Sequence, residues 1–476
     1  MSERKLDAVV VGAGPNGLAA AITLARAGRS VRVIEATSFI GGGLRTEELT
    51  LPGFLHDTFS AVHPMAVASP FFRSLPLEHY GLEWILSPAP MAHAVGDTSV
   101  ILEASVEKTA AQLGKDDWRY RRVFGPLVRK WEALFEDVMQ PAFHLPRHPI
   151  LLARFGAMAM LSAESFANGF FRDPKTRALI GGIAAHANTP LDRTGTAAIA
   201  LMMMTAGHAR GWPIPKGGAG SIAKALASYF AAQGGVIETD CEITRLSDLP
   251  PSRFVFFDLP PSRLKSMFES SGETAPLAKQ FQNFRHGPGV FKIDWALSKP
   301  IPWADQKIAS AATVHLGGPL EQIARSESRP SLGEHPRRPF VLLSQPTLFD
   351  PSRAPKDRHV AWAYCHVPHG SDRDVQTAIE DEIERYAPGF RSIVLARNVL
   401  NTKALEKKNM NLVGGDIGGG EFGFWKMIAP KRNGPYEISR ERGYYICSSS
   451  APPGPGIHGM CGFNAANAAL RLDGKN

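Results

Sequence analysis

Cysteine is scarce in this 476-residue chain: Cys241, Cys365, Cys447 and Cys461 are the full set, and no two form a C-x-x-C pair. That spacing excludes a redox dithiol beside a cofactor and provides no cysteine framework for zinc, so no metal site is expected. Long apolar runs are also missing. No stretch of about twenty uncharged apolar residues occurs, which is the length of a bilayer-spanning helix. No secretory leader precedes the first strand-like run, which starts almost at Met1, and the cytoplasm is the expected compartment. Charge of one sign is not massed in an arm. A net charge of +8 suits an anionic dinucleotide or an acidic membrane surface, and no nucleic-acid partner is expected.

What is present is concentrated at the start. Asp7–Val11 is a short apolar run, the pattern of a strand buried on both faces of a parallel sheet. Gly12-Ala13-Gly14-Pro15-Asn16-Gly17 follows with G-x-G-x-x-G spacing, then an Ala-rich helix to Ala27, and a second strand, Ser30–Ile34, ending in Glu35. Gly12 allows the tight turn, Gly14 admits a pyrophosphate, and Gly17 lets helix and strand pack closely. The amides at the helix start face phosphate charge, and a carboxylate at Glu35 can accept from ribose hydroxyls. Strand, glycines, helix, strand and acid in this order specify a dinucleotide site.

A second Gly-rich loop, Ala36 to Thr46, contains Gly42, Gly43, Leu44 and Arg45. It resembles the flavin-dependent amine-oxidase-like superfamily, in which an acid, a short spacer, a Gly-Gly pair and an Arg line the FAD site. The cofactor implied is FAD.

Further along, 82–102 is a short strand-rich patch, and 103–211 reads as mostly helical. Within it, 147–172 combines apolar residues with Arg147, Arg154 and Arg172, a pattern that ordinary helix packing explains and that also suits a membrane surface or an apolar tunnel wall. Ser221 to Gln233 is a helix, and Val236–Thr239 and Cys241–Leu246 read as strands. Residues 286–410 alternate apolar and polar in short runs, as in an antiparallel sheet, with a helix at Asp372–Ala387. A Gly- and Pro-rich turn at 452–462 feeds a closing helix, Phe463 to Leu470.

The pieces GAGPNGLAAAITLARAG (12–28), GWPIPKGG (211–218), GGDIGGG (414–420) and CSSSAPPGPGIHGMCGFNAA (447–466) are similar to the phytoene-dehydrogenase-related proteins. Within these, they most resemble the branch named for a pyridine nucleotide-disulfide oxidoreductase domain. The resemblance implies an α/β fold: a Rossmann-type FAD-binding domain interleaved with an α+β substrate domain. The FAD domain would comprise 1–75, 212–285 and 411–476, and the substrate domain 76–211 and 286–410. It further implies FAD contacts from Gly12, Gly14, Pro15, Asn16, Gly17, Glu35, Ala36, Gly42, Gly43, Leu44 and Arg45. The backbone of Ile243 would pass the adenine. Gly456 and the amides of Ile457, Gly459 and Met460 would meet the flavin pyrimidine edge.

The activity implied is dehydrogenation or desaturation of an apolar, isoprenoid- or lipid-like substrate, with hydride passing to flavin N5. The alternatives are amine oxidation, and a redox-neutral isomerase or structural flavoprotein with a partner-binding role. Should a proton need to move, His458 beside the flavin contact is the first candidate, followed by His186 and His208. The electron acceptor (oxygen, quinone or free NAD(P)) and the oligomeric state stay open.

Overall fold

The computed structural model describes residues 6–141, 144–423 and 434–474. Two sheets organise it. The first has six strands in the order Glu437–Ser439, Tyr444–Ile446, Ser252–Phe257, Leu6–Val11, Val31–Ile34, Val236–Glu238. All its neighbours run parallel except the Glu437–Ser439/Tyr444–Ile446 pair. Ala8, Val9 and Val10 have no exposed surface, as expected of a central strand covered on both faces. The helix Pro15–Arg26 packs against the last helix, Met460–Asp473, and both belong to one apolar core with this sheet.

The second sheet has seven strands, in the order Val394–Leu400, Gly289–Leu297, His359–Val367, Val341–Ser344, Ala311–Leu316, Ala89–Val95, Thr98–Leu102. Strand alternation gives it two unlike faces. Phe291, Ile293, Trp295, Ala361 and Ala363 pack with Ile379 and Ile383 of helix Gln376–Tyr386 in an apolar layer. The opposite face carries Lys292, Asp294, Trp362, Tyr364, His366, His315 and His93. The registers Lys292↔Tyr364, Tyr364↔Leu342, Leu342↔His315 and His315↔His93 align four of these in one row across the sheet. Helix Pro174–Ala184 lies over one end of this row, where Gly182 leaves room for the rings of His93 and His315.

Several local expectations need correcting. Cys241–Leu246 does not join a sheet; it runs as irregular chain into a short 3-10 turn at Leu246–Asp248. The helix expected from Asp372 begins at Gln376, and the closing helix begins earlier than expected, at Met460. The second sheet is mixed, because Ala311–Leu316 pairs in parallel with Ala89–Val95. That pairing draws the 89–102 hairpin into the sheet, a long-range contact that alternation within one segment cannot reveal.

Candidate dinucleotide and active site

The site begins where the Leu6–Val11 strand ends. Gly12, at φ +103°, turns the chain so that Gly12 N–H still donates to Ile34 O at 2.8 Å. A Cβ on Gly17 would lie 2.0 Å from the Gly12 carbonyl oxygen, so only glycine lets the helix start this close to the strand. Glu35 accepts from Ala13 N–H at 2.8 Å through Oε2, and from the Thr37 N–H and hydroxyl at 3.1 Å through Oε1. Oε2 keeps a second lone pair, which suits a ribose hydroxyl. Arg45 stacks on Phe39 with its guanidinium carbon 3.6 Å from the ring centroid, and it pairs with Glu47 at 2.7 Å. Glu47 in turn meets Lys408 at 3.2 Å. The counter-ions therefore hold the arginine at the rim of the loop.

Gly12, Gly14, Glu35, Ala36, Gly42, Arg45 and Ile243 all line one open groove. The same groove gains Arg263, Lys408 and Asn411 from segments that no motif had marked. Pro15, Asn16 and Gly17 start the adjoining helix, and Asn16 Oδ1 is buried without a hydrogen-bond partner. Leu44 is fully buried behind the loop. At the other end, a Cβ on Gly43 would lie 3.8 Å from Ile457 Cδ1, which brings the two Gly-rich loops face to face. A cradle with glycine at its closest approaches, an unmatched amide oxygen and a poised carboxylate fits an adenine dinucleotide.

The histidines and one amide depart from expectation. His458 is 1% exposed; its Nε2 donates to Gly454 O at 3.1 Å and its Nδ1 accepts the Met460 N–H at 3.0 Å. Both ring nitrogens are thus engaged in holding the turn. Burial also pushes its pKa down to about 4, a poor proton acceptor near neutrality. The Met460 amide is thereby taken, whereas the Ile457 and Gly459 N–H groups have no intramolecular acceptor among the described residues. His186 lies elsewhere, Nε2 to Nε2 with His315 at 2.9 Å and edge-on to Trp212. His208 hydrogen-bonds Tyr120 at 2.7 Å inside the helical core. Burial holds these two at about 3 and about 4. The structure does not bring the three together.

Sequence reasoning missed the buried inner face of the second sheet. Lys292 pairs with Asp294 and lies 5.8 Å from the centroid of Trp362. Trp362 and Tyr364 stand parallel, 2° apart. His366 meets Glu327 at 2.5 Å. The available signals were two alternating runs, Gly289–Leu297 with Lys292 and Asp294, and His359–Val367 with Trp362, Tyr364 and His366.

A model of the NAD(P)-binding Rossmann-like domain matches residues 10–74. Pyridine nucleotide-disulfide oxidoreductase domain-containing protein 2 of Rattus norvegicus is 26% identical over 98% of this chain and 93% of its own length. Phytoene dehydrogenase of Streptomyces griseus is 26% identical over 86% and 80%. The chain is a homologue of the phytoene dehydrogenase-related oxidoreductases. Cyclohexylamine oxidase from Brevibacterium oxydans shares the fold of this dehydrogenase homologue, with a TM-score of 0.60 at 14% identity, covering 99% of this chain and 100% of that one. The family is enzymatic, and its Rossmann-like cofactor domain joined to a mixed α/β body is what the two sheets describe. The four cysteines are all unpaired.

Proposed function

We propose that the protein is an FAD-dependent dehydrogenase or desaturase that takes a hydride from an apolar, isoprenoid- or lipid-like substrate. The observation that carries the reading is the dinucleotide groove built from Gly12–Gly17, Glu35, Gly42–Arg45 and the facing Ile457–Gly459 turn. FAD bound there supplies the hydride acceptor. The chain's own residues do the rest. The glycine-loop amides and helix start hold the diphosphate, and Glu35 holds the ribose. The Ile457 and Gly459 amides offer donors to negative charge on the ring. The decisive test is anaerobic titration of the yellow protein with polyenes and with amines. Bleaching by polyenes alone supports the reading.

A second reading, amine oxidation, is favoured by one feature: Trp362 and Tyr364 form a parallel aromatic pair, 5.8 Å between centroids, that suits a cation. Lys292 beside Trp362 opposes it. Bleaching by amines alone reverses the ranking.

We further infer that the substrate comes from an anionic membrane surface. Among the described residues no single helix is long and apolar enough to cross a bilayer, and the pair Pro149–Ala159 and Ala163–Phe170 is bent by 99°. Ile150 is 86% and Leu145 93% exposed. Ile150 and Arg154 share a helix face at i,i+4, as do Trp118 and Arg122. Arg154 donates to Arg122 O at 3.2 Å, which sets the two faces side by side. Bare aliphatics among arginines match an acidic lipid headgroup layer. The four unpaired cysteines suit the reducing cytoplasmic side.

A further inference from the structure

Beneath the glycine loop lies a carboxylate that the dinucleotide reading does not use. Asp258 follows strand Ser252–Phe257, is 6% exposed, and accepts the Gly17 N–H through Oδ2 at 2.9 Å. A Cβ at Gly14 would lie 2.5 Å from the same oxygen, so the carboxylate stands directly under the turn that carries the diphosphate. Asn411 Nδ2 donates to the Asp258 backbone carbonyl at 2.7 Å, fixing the residue from the far wall of the groove.

Among the described residues no cation faces this carboxylate. Glu35, after strand Val31–Ile34 on the other side of the central strand, adds negative charge. Cys447 lies beyond the next strand and Cys461 on the last helix; burial pushes both thiols up, so they stay neutral. The groove-wall cations are committed elsewhere, Arg263 to Glu242 at 2.8 Å and Lys408 to Glu47 at 3.2 Å. Burial, helped by Glu35 and opposed by the Gly17 hydrogen bond, holds Asp258 up at about 7. One helix start offers about half a positive charge. It cannot neutralise both a carboxylate and a diphosphate.

We propose that Asp258 is a proton-linked member of the cofactor site: FAD and one proton bind together, and affinity for FAD falls as pH rises through neutrality. The inference rests on the groove being the FAD site. The sign follows from linkage. The diphosphate raises the carboxyl's proton affinity further, so the complex holds more protons than the free protein above about pH 7, and binding there must recruit one. The dissociation constant is flat on the acid side and weakens by up to about tenfold per pH unit on the alkaline side.

The experiment is flavin-fluorescence titration of the full-length apoprotein with FAD from about pH 6 to about pH 9. Calorimetry in two buffers of different ionisation heat, at about pH 8 where the free carboxyl is largely ionised, accompanies it. The expected results are a weakening constant and uptake of close to one proton per FAD. Asp258→Asn, which keeps the size and can still accept from Gly17, is expected to bind with a pH-independent constant matching the acidic wild-type value. A wild-type constant flat across the range with no proton uptake overturns the proposal and leaves the FAD reading standing. Failure to bind FAD at any pH overturns the FAD reading itself. The calorimetry needs no variant, so misfolding of Asp258→Asn does not shield the proposal.

Discussion

Gly462 of the last helix meets the backbone of Asn16 in the first with no room for a side chain: a Cβ there would lie 1.8 Å from the Asn16 carbonyl oxygen. This contact fixes the second amide-bearing turn against the glycine loop. Gly462→Ala forces the two helices apart, and overpacking of this kind costs about 1–3 kcal/mol. Urea unfolding should show the loss, and FAD retention on gel filtration should drop with it.

His458 is expected to hold the turn and not to move protons. His458→Ala should weaken FAD retention while the rate of flavin reduction in the loaded fraction keeps its wild-type pH profile. A profile that loses a limb in the variant would restore the acid–base role.

Glu35→Gln removes the charge that accepts from Ala13 and Thr37. Hydrogen bonds to a charged group contribute about 1.5–3 kcal/mol, so FAD affinity should fall at least about tenfold. Equilibrium titration of the apoprotein measures this directly.

Buried histidines make the fold acid-labile. His56, His186, His208 and His458 are held by burial at about 3, 3, 4 and 4. An unfolded imidazole takes a proton below about pH 6.5. Between there and the folded values the unfolded chain binds more protons, so stability falls as pH is lowered through that window. Each such histidine contributes on the order of 1 kcal/mol per pH unit. Thermal unfolding should show Tm declining from about pH 6.5 toward about pH 4, and a flat Tm there would contradict the burial.

Ile150→Asp and Arg154→Glu should each reduce co-sedimentation with vesicles containing phosphatidylglycerol several-fold, with little change on neutral vesicles. Equal binding to both vesicle types, or none by the wild type, ends the membrane proposal. Self-association that Ile150→Asp abolishes would assign the patch to a second copy.

Local grammar made the cofactor groove legible. A strand buried on both faces, a glycine at each close approach and an acid at the next strand end are demands within some thirty consecutive residues, so Gly12 to Glu35 could be read directly. Asp258 lies at a strand end, but its place under Gly14 depends on which strand pairs with Leu6–Val11. The surroundings of the histidines were illegible for a related reason. Their roles depend on partners far along the chain, His186 on His315 and His208 on Tyr120.

By itself the sequence determined the dinucleotide half, because backbone conformation and hydrogen bonding at those glycines leave no substitute. Tertiary structure alone decided the other half. It set the parallel pairing that joins Ala89–Val95 to Ala311–Leu316, the row of Lys292, Tyr364, His315 and His93 on one face, and the carboxylate beneath the phosphate loop. Strand register and burial are collective properties, and no local pattern encodes which distant residues will share a face.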